Sequence, residues 1–373
     1  MRQVIIFKND IIKYPPIVSI INILAERGND ILIIGYCSNK KTIDTWKQRN
    51  IVYFEAITES VSISPVKKLF LFKLFKKKVL QFVTSHCSEK DQVWIFGTQT
   101  IYILKDLTYR YKCILYFFEI PCFNVPKAYR LFCRDKEFKD VIGNEKNKIV
   151  CCEYNRAHIV KSYFGLNKLP FIIPNKQYIE VQTSNKNIIA SNLRNKKVIL
   201  YQGIFNYPER KLDDYCEAIK LLPEEYVLIL MGEDNRYKEF LRSKYESERI
   251  IFLPFYPTPS HLEITEISYI GILSYKTSAT TVDNILNLLY CAPNKIFEYS
   301  SYGIPMISND VPALKQIFEG YHCGIALDTI SAKNITNAIM QIERSYSMYK
   351  EGAKRFYDSV DIKSSIINMA DAI

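Results

Sequence analysis

The apolar positions of this chain fall in short continuous runs, separated by stretches of helical spacing, and the whole alternation restarts once. Residues 3 to 8 form the first run and end in Lys8, which predicts a strand buried on both faces. Pro15 and Pro16 then open a helix carrying Ile17, Ile20, Ile21 and Leu24, and Gly28 closes it. Proline just inside the start and glycine just past the end is the asymmetry that helix termini favour. Ile31 to Ile34 supplies the next strand, and strand, helix and strand within about 35 residues make a parallel crossover unit. Further strands are predicted at Ile51 to Phe54, Val93 to Phe96, Cys113 to Phe118 and Ile149 to Cys152, giving a doubly wound first half. No glycine lies between Asn9 and Pro16, so a glycine-rich dinucleotide loop is ruled out there.

From Lys176 to Lys196 the chain is polar and without period, which predicts a linker over 177–196 after a first domain at 1–176. The alternation then resumes. Val198 to Tyr201 reads as a strand, Gly203 to Glu209 as a loop, and Leu212 to Leu222 as a helix that Pro223 ends. Strands follow at Tyr226 to Met231, Ile250 to Leu253, Tyr269 to Leu273, Met306 to Ser308 and Gly324 to Leu327, with a helix near Ser260 to Ile267. The pattern predicts a second parallel-sheet domain over 197–355 and a terminal helix over 356–373 that returns toward the first.

One segment fits two readings. Residues 65–86 hold Lys67, Lys68, Lys73, Lys76, Lys77 and Lys78 among Phe70, Phe72 and Phe75. Such a composition suits a helix lying on an anionic membrane surface. Stepped at about 100° per residue, however, Lys76 falls opposite Lys67 and Lys78, and the phenylalanines do not make one stripe. A basic helix that packs its aromatics inward fits equally.

Composition narrows the class. The 373 residues are 48% hydrophobic, which supports packed cores in two domains of ordinary size. No run reaches the 18 apolar residues of a membrane span, and the apolar start breaks at Lys8, so a cytoplasmic protein is expected. The ten cysteines make no CxxC and the four histidines are dispersed, which argues against a zinc site or a disulfide framework. A net charge of +11 points to phosphate, whether in nucleic acid, anionic lipid or a phosphorylated substrate, or simply to a solvated basic surface.

The most informative stretch runs from Asn287 to Ser308. It joins Pro293-Asn294, a short amphipathic helix with Lys295 and Glu298, a turn at Gly303 to Pro305, and the start of an apolar strand. A helix amino terminus offers unpaired N–H groups and a positive dipole end, and Lys295 in its first turn adds to that field. Glu298 follows three residues later, so both side chains can project to one side. A lone Lys-x-x-Glu also describes an ordinary surface helix.

With its flanking Pro-Asn and Gly-Ile-Pro, the segment resembles the nucleotide-sugar-binding motif of the retaining GT-B glycosyltransferases of bacterial polysaccharide and lipopolysaccharide synthesis. The resemblance implies two Rossmann-like doubly wound domains facing each other across a cleft, with donor in the second and acceptor in the first. It implies that Glu298 holds the ribose hydroxyls and that the helix start, with Asn294 and Lys295, faces the diphosphate. The family pattern has a further glutamate eight positions earlier, where this chain has Tyr290, so the donor-sugar contacts differ. The family also places a basic residue after the first loop of this domain, against the leaving diphosphate. Arg210 fits that place, with Lys211 second, since guanidinium can fork onto phosphate oxygens. The glycine that family members follow with arginine is Gly203, followed here by Ile204. Gly303 would permit close turning beneath the site.

In the first half, Glu119 stands just past a strand end, where it is a candidate catalytic or acceptor-binding carboxylate or a solvated loop residue; Arg156 after the strand Ile149 to Cys152 is a candidate lining residue. No Asp-x-Asp occurs, so the expected transfer uses no metal and no cofactor beyond the sugar nucleotide. The expected partners are a nucleoside-diphosphate sugar, a saccharide or lipid-linked acceptor and an anionic membrane face, with no nucleic acid. A nucleotide-sugar epimerase or hydrolase on the same fold, and a basic nucleic-acid-binding protein, are the alternatives.

Overall fold

The computed structural model describes residues 2–57, 64–178, 193, 195–276 and 281–372. The chain divides into two units, the first comprising 1–179 with 361–373 and the second 180–360. Of the linker expected over 177–196, residues 179–192 and 194 lie outside the described residues.

The first unit is a seven-stranded sheet built from β1 (Arg2–Asp10), β2 (Asp30–Tyr36), β3 (Val52–Glu55), β4 (Gln92–Phe96), β5 (Lys112–Phe117), β6 (Lys148–Cys151) and β7 (Phe171–Ile172). Its order is β3-β2-β1-β4-β5-β6-β7, and every pairing is parallel. The second unit repeats the plan with β8 (Lys197–Gln202), β9 (Tyr226–Met231), β10 (Ile250–Leu253), β11 (Ser268–Leu273), β12 (Met306–Asn309) and β13 (Gly324–Leu327). Its order is β10-β9-β8-β11-β12-β13, again all parallel. In each sheet the order therefore reverses beside the first strand, between β1 and β4 and between β8 and β11.

Period-two alternation sends successive side chains into two cores, one on each face of each sheet. In the first unit Val4, Ile6, Val93 and Ile95 meet the helix Pro65–His86 through Phe72, Phe75, Val79 and Val83. The opposite set, Ile5, Phe7, Trp94 and Phe96, packs with Ile17, Ile20 and Leu24 of Pro15–Glu26 and with Ile362, Ile366 and Met369 of the terminal helix Ile362–Asp371. That helix is also tied by Gln92, whose Nε2 donates to the Ala370 carbonyl at 2.7 Å, and by an Arg27–Asp371 ion pair at 2.7 Å. The predicted strands all form. The pattern missed the two-residue edge strand β7 and the helix Val282–Leu289, whereas the short helix with Lys295 and Glu298 forms as Asn294–Ser301.

The lysine-rich segment forms the basic helix that packs aromatics inward. It is a single helix, capped by the Ser64 hydroxyl, that buries Phe72, Phe75, Val79 and Val83. Spacing of four brings Val66, Phe70 and Leu74 onto its outer side, where they are 77%, 67% and 38% exposed. Lys67, Lys73, Lys77 and Lys78 are exposed around them, whereas Lys76 turns away to pair with Asp106 at 2.5 Å. No acidic residue interrupts this helix.

Candidate functional site

The second sheet gathers charged groups at the carboxyl ends of β8 and β11, where open α/β sheets bind ligands. The helix Asn294–Ser301 is held over this edge by Tyr299, fully buried, whose hydroxyl donates to the Leu200 carbonyl of β8 at 3.1 Å. Gly271 of β11 makes the room, since a Cβ there would stand 2.5 Å from the Tyr299 ring. The helix begins after Pro293 with no side-chain cap, so its first N–H groups keep the capacity to bind an anion.

Lys295 projects from this first turn across the end of β8. Its ammonium lies 5.0 Å from the Tyr201 ring and 6.0 Å from the Tyr275 ring. Gly203 permits this approach: its φ is +142°, and a Cβ would come within 2.7 Å of Lys295 Cε and closer still to Nζ. The loop after β8 returns Arg210 to the same place, its guanidinium stacked 4.0 Å from the centroid of Tyr275. Asn309 fixes Tyr275 by clamping its backbone, Oδ1 accepting from Tyr275 N at 2.6 Å and Nδ2 donating to the Tyr275 carbonyl.

Two cations thus share one aromatic, Tyr275, and among the described residues neither is ion-paired to a carboxylate. Desolvation, seconded by the Arg210 charge, pushes the Lys295 ammonium down to about 7. Burial also pushes the Tyr201 and Tyr275 phenols up, so both remain neutral platforms.

Glu298, one turn on, is 9% exposed and held on both oxygens. Gln202 Nε2 donates to Oε2 at 2.6 Å, and His261 Nε2 stands 3.4 Å from Oε1. The Thr265 hydroxyl donates to Gln202 Oε1 at 2.8 Å, which fixes the amide orientation. The carboxylate is therefore preset in direction.

Arg210, Lys295, Glu298, Asn294 and Gly203 come together at this edge of the sheet. Lys211, Gly303, Glu119 and Arg156 are placed elsewhere or turned to local partners. Lys211 pairs with Asp214 at 3.0 Å. Tyr290 follows the helix Val282–Leu289, its N–H bonded to the Leu286 carbonyl at 2.9 Å. Gly303, expected beneath the site, instead terminates the helix at its far end with φ +69°; its α-carbon faces Lys350 and Lys354. In the first unit Glu119 is exposed just past β5, and Arg156 is buried with Nη1 donating to the Phe118 carbonyl at 2.5 Å, a buttress for that loop. Sequence reasoning missed Tyr201, Tyr275, Gln202, His261, Thr265 and Asn309. Only Gln202 carried a local signal, a polar residue ending an otherwise apolar strand.

No family model matches the chain, and no curated protein matches its sequence. Its fold does match solved structures. HepE of Anabaena, in a complex with UDP, superposes with a TM-score of 0.69 at 12% identity over 100% of this chain and 99% of that one. WaaG, a glycosyltransferase of lipopolysaccharide biosynthesis, gives 0.61 at 13% identity over 100% and 99%. A UDP-N-acetylglucosamine 2-epimerase homologue from Listeria monocytogenes gives 0.63 at 13% over 99% and 94%. The two doubly wound parallel-sheet units are thus those of the GT-B glycosyltransferase fold.

Proposed function

We propose that this chain is a glycosyltransferase that binds a nucleoside-diphosphate sugar at the carboxyl edge of its second sheet and passes the sugar to a saccharide acceptor. The observation that carries the reading is the convergence of Arg210, Lys295 and an uncapped helix start beside a preset Glu298. A diphosphate would sit against the two cations and the helix N–H groups, and the ribose hydroxyls would donate to Glu298. As the glycosyl bond breaks, charge grows on the departing diphosphate, and fixed cations favour that transition state over the ground state. Arg210 and Lys295 would supply this without a metal. HepE was solved with UDP-glucose as well as UDP, which supports a sugar nucleotide as the ligand class.

The finer reading is retaining transfer to a lipid-linked acceptor in cell-surface polysaccharide synthesis, on the inner face of the membrane. The outer side of Pro65–His86 supports it: exposed Val66, Phe70 and Leu74 suit the acyl boundary, and the surrounding lysines suit anionic headgroups. No described helix is long and apolar enough to cross a membrane, so contact would be peripheral.

A thermal-shift panel of UDP, GDP, dTDP and their sugars tests the donor site, since a ligand at about 100 times its Kd adds about 2.7 kcal/mol to stability. No shift with any nucleotide would refute it. The epimerase match raises a second reading, consumption of donor without acceptor; labelled sugar passing into a membrane extract, with none epimerised in its absence, decides for transfer.

A further inference from the structure

The first sheet carries a second pair of cations, which the donor reading leaves unused. Lys8 stands near the end of β1, beside β4, at the reversal of strand order where ligands of such sheets collect. It is half-buried, and its ammonium donates to Asn9 Oδ1 at 2.7 Å. The same ammonium lies 5.2 Å from the centroid of Phe72, and that of Lys68 lies 5.9 Å from the same ring. Phe72 is itself immobilised: it is buried and stacks on Tyr129 at 5.6 Å, and the Tyr129 hydroxyl donates to Gln99 Oε1 at 2.8 Å just past β4.

Among the described residues neither lysine is ion-paired to a carboxylate. Desolvation first, and the charge of Lys68 second, push Lys8 down to about 8. Two ammonium groups held on one ring oppose each other, and a bound dianion would reverse the sign of that interaction. A carboxylate supplies one negative charge, a phosphate up to two with more acceptor oxygens. The second matches a pair of point-charge lysines.

We propose that Lys8 and Lys68 form an anion site for a phosphate group of the acceptor, which makes the acceptor a phosphate- or diphosphate-bearing saccharide. The word acceptor rests on the glycosyltransferase reading of the second unit; the anion site does not. Lys68 arises from the helix whose outer side carries Val66 and Phe70, so a phosphate at this site would lie beside the proposed membrane face.

The full chain, saturated with UDP to fill the donor site, is acylated with acetic anhydride and each lysine is followed by mass spectrometry. Inorganic pyrophosphate should slow acylation of Lys8 and Lys68 severalfold and leave Lys77 and Lys78 unchanged. Lys68→Met, at an exposed position, should raise the pyrophosphate concentration that half-protects Lys8 about tenfold, or about 1.4 kcal/mol. Unchanged Lys8 reactivity with pyrophosphate, while UDP protects Lys295, overturns the anion site and leaves the donor reading standing. Protection of Lys8 without protection of Lys295 does the reverse. If phosphatidylcholine vesicles containing phosphatidylglycerol protect Lys8 and pyrophosphate does not, the group bound is a lipid headgroup and the acceptor assignment falls.

Discussion

Replacing Lys295 with methionine should stabilise the empty protein and abolish its response to nucleotide. The substitution keeps the stem and removes the charge. In the folded state the ammonium is lowered from 10.5 to about 7, chiefly by desolvation. At about 1.36 kcal/mol for each pH unit, holding that charge costs the fold at most about 5 kcal/mol. Loss of the ring contacts with Tyr201 and Tyr275 offsets about 1–2 kcal/mol of the gain. A net stabilisation of about 2–4 kcal/mol remains, or several degrees in the melting of a unit this size, at about 2–4 °C per kcal/mol. The sign with pH follows from linkage. The folded value is the lower one, so the penalty is fully present below about pH 7 and disappears as pH rises toward the ordinary lysine value of 10.5. Calorimetry at about pH 6 should show the methionine variant melting higher, with the gap closing by about pH 10. UDP should stabilise the wild type by pairing with the ammonium and should lose most of that effect in the variant. Wild-type affinity should also decline as pH rises through about 7, since the diphosphate favours the protonated form. A methionine variant that melts lower at acidic pH, or that keeps the full UDP shift, would refute the reasoning.

Three further outcomes can be checked by calorimetry and sedimentation. Glu298→Ala should weaken UDP about tenfold to a hundredfold, the loss of about 1.5–3 kcal/mol for a hydrogen bond to a charged group, while inorganic pyrophosphate binds unchanged; equal loss for both ligands would deny the ribose role. Gly203→Ala places a methyl group where the Lys295 stem passes, so it should lower UDP affinity in the wild type and do little more in the Lys295→Met background. Additive losses, with no coupling of about 0.5 kcal/mol or more, would show that Gly203 acts elsewhere. Changing Lys67, Lys73, Lys77 and Lys78 to glutamate should remove co-sedimentation with anionic vesicles, since each lysine near such a surface contributes about 1 kcal/mol. Retained binding would place any lipid contact on another surface.

The strands were legible because fully buried parallel strands need continuous apolar runs, and runs such as Tyr226 to Met231 leave little choice. Several of the short helices were not. Thr98–Leu104 is buried from Thr100 to Leu104 and so shows no polar stripe, and Arg236–Tyr245 is half charged, its start set by the Asn235 cap and its register by Lys238, fully buried on the Gly232 and Leu253 carbonyls. At the site the same limit applies at closer range. Lys295 and Glu298 were visible because both stand on one helix turn, where spacing alone fixes their common direction. Arg210 was visible only through resemblance, since nothing within its own loop shows that it returns to Tyr275. Tyr275 and Asn309 are 34 positions apart and meet only because β11 and β12 pair in register, Leu273 beside Ser308. The aromatic platform on which Lys295 and Arg210 meet is therefore a product of sheet order, and sheet order is what a linear pattern states least directly. The same holds for Lys8 and Lys68, which are 60 positions apart on a strand and a helix and both approach the ring of one phenylalanine. In both units the local pattern fixes which residues are charged, whereas the reversal of strand order decides which charges must answer to one ligand.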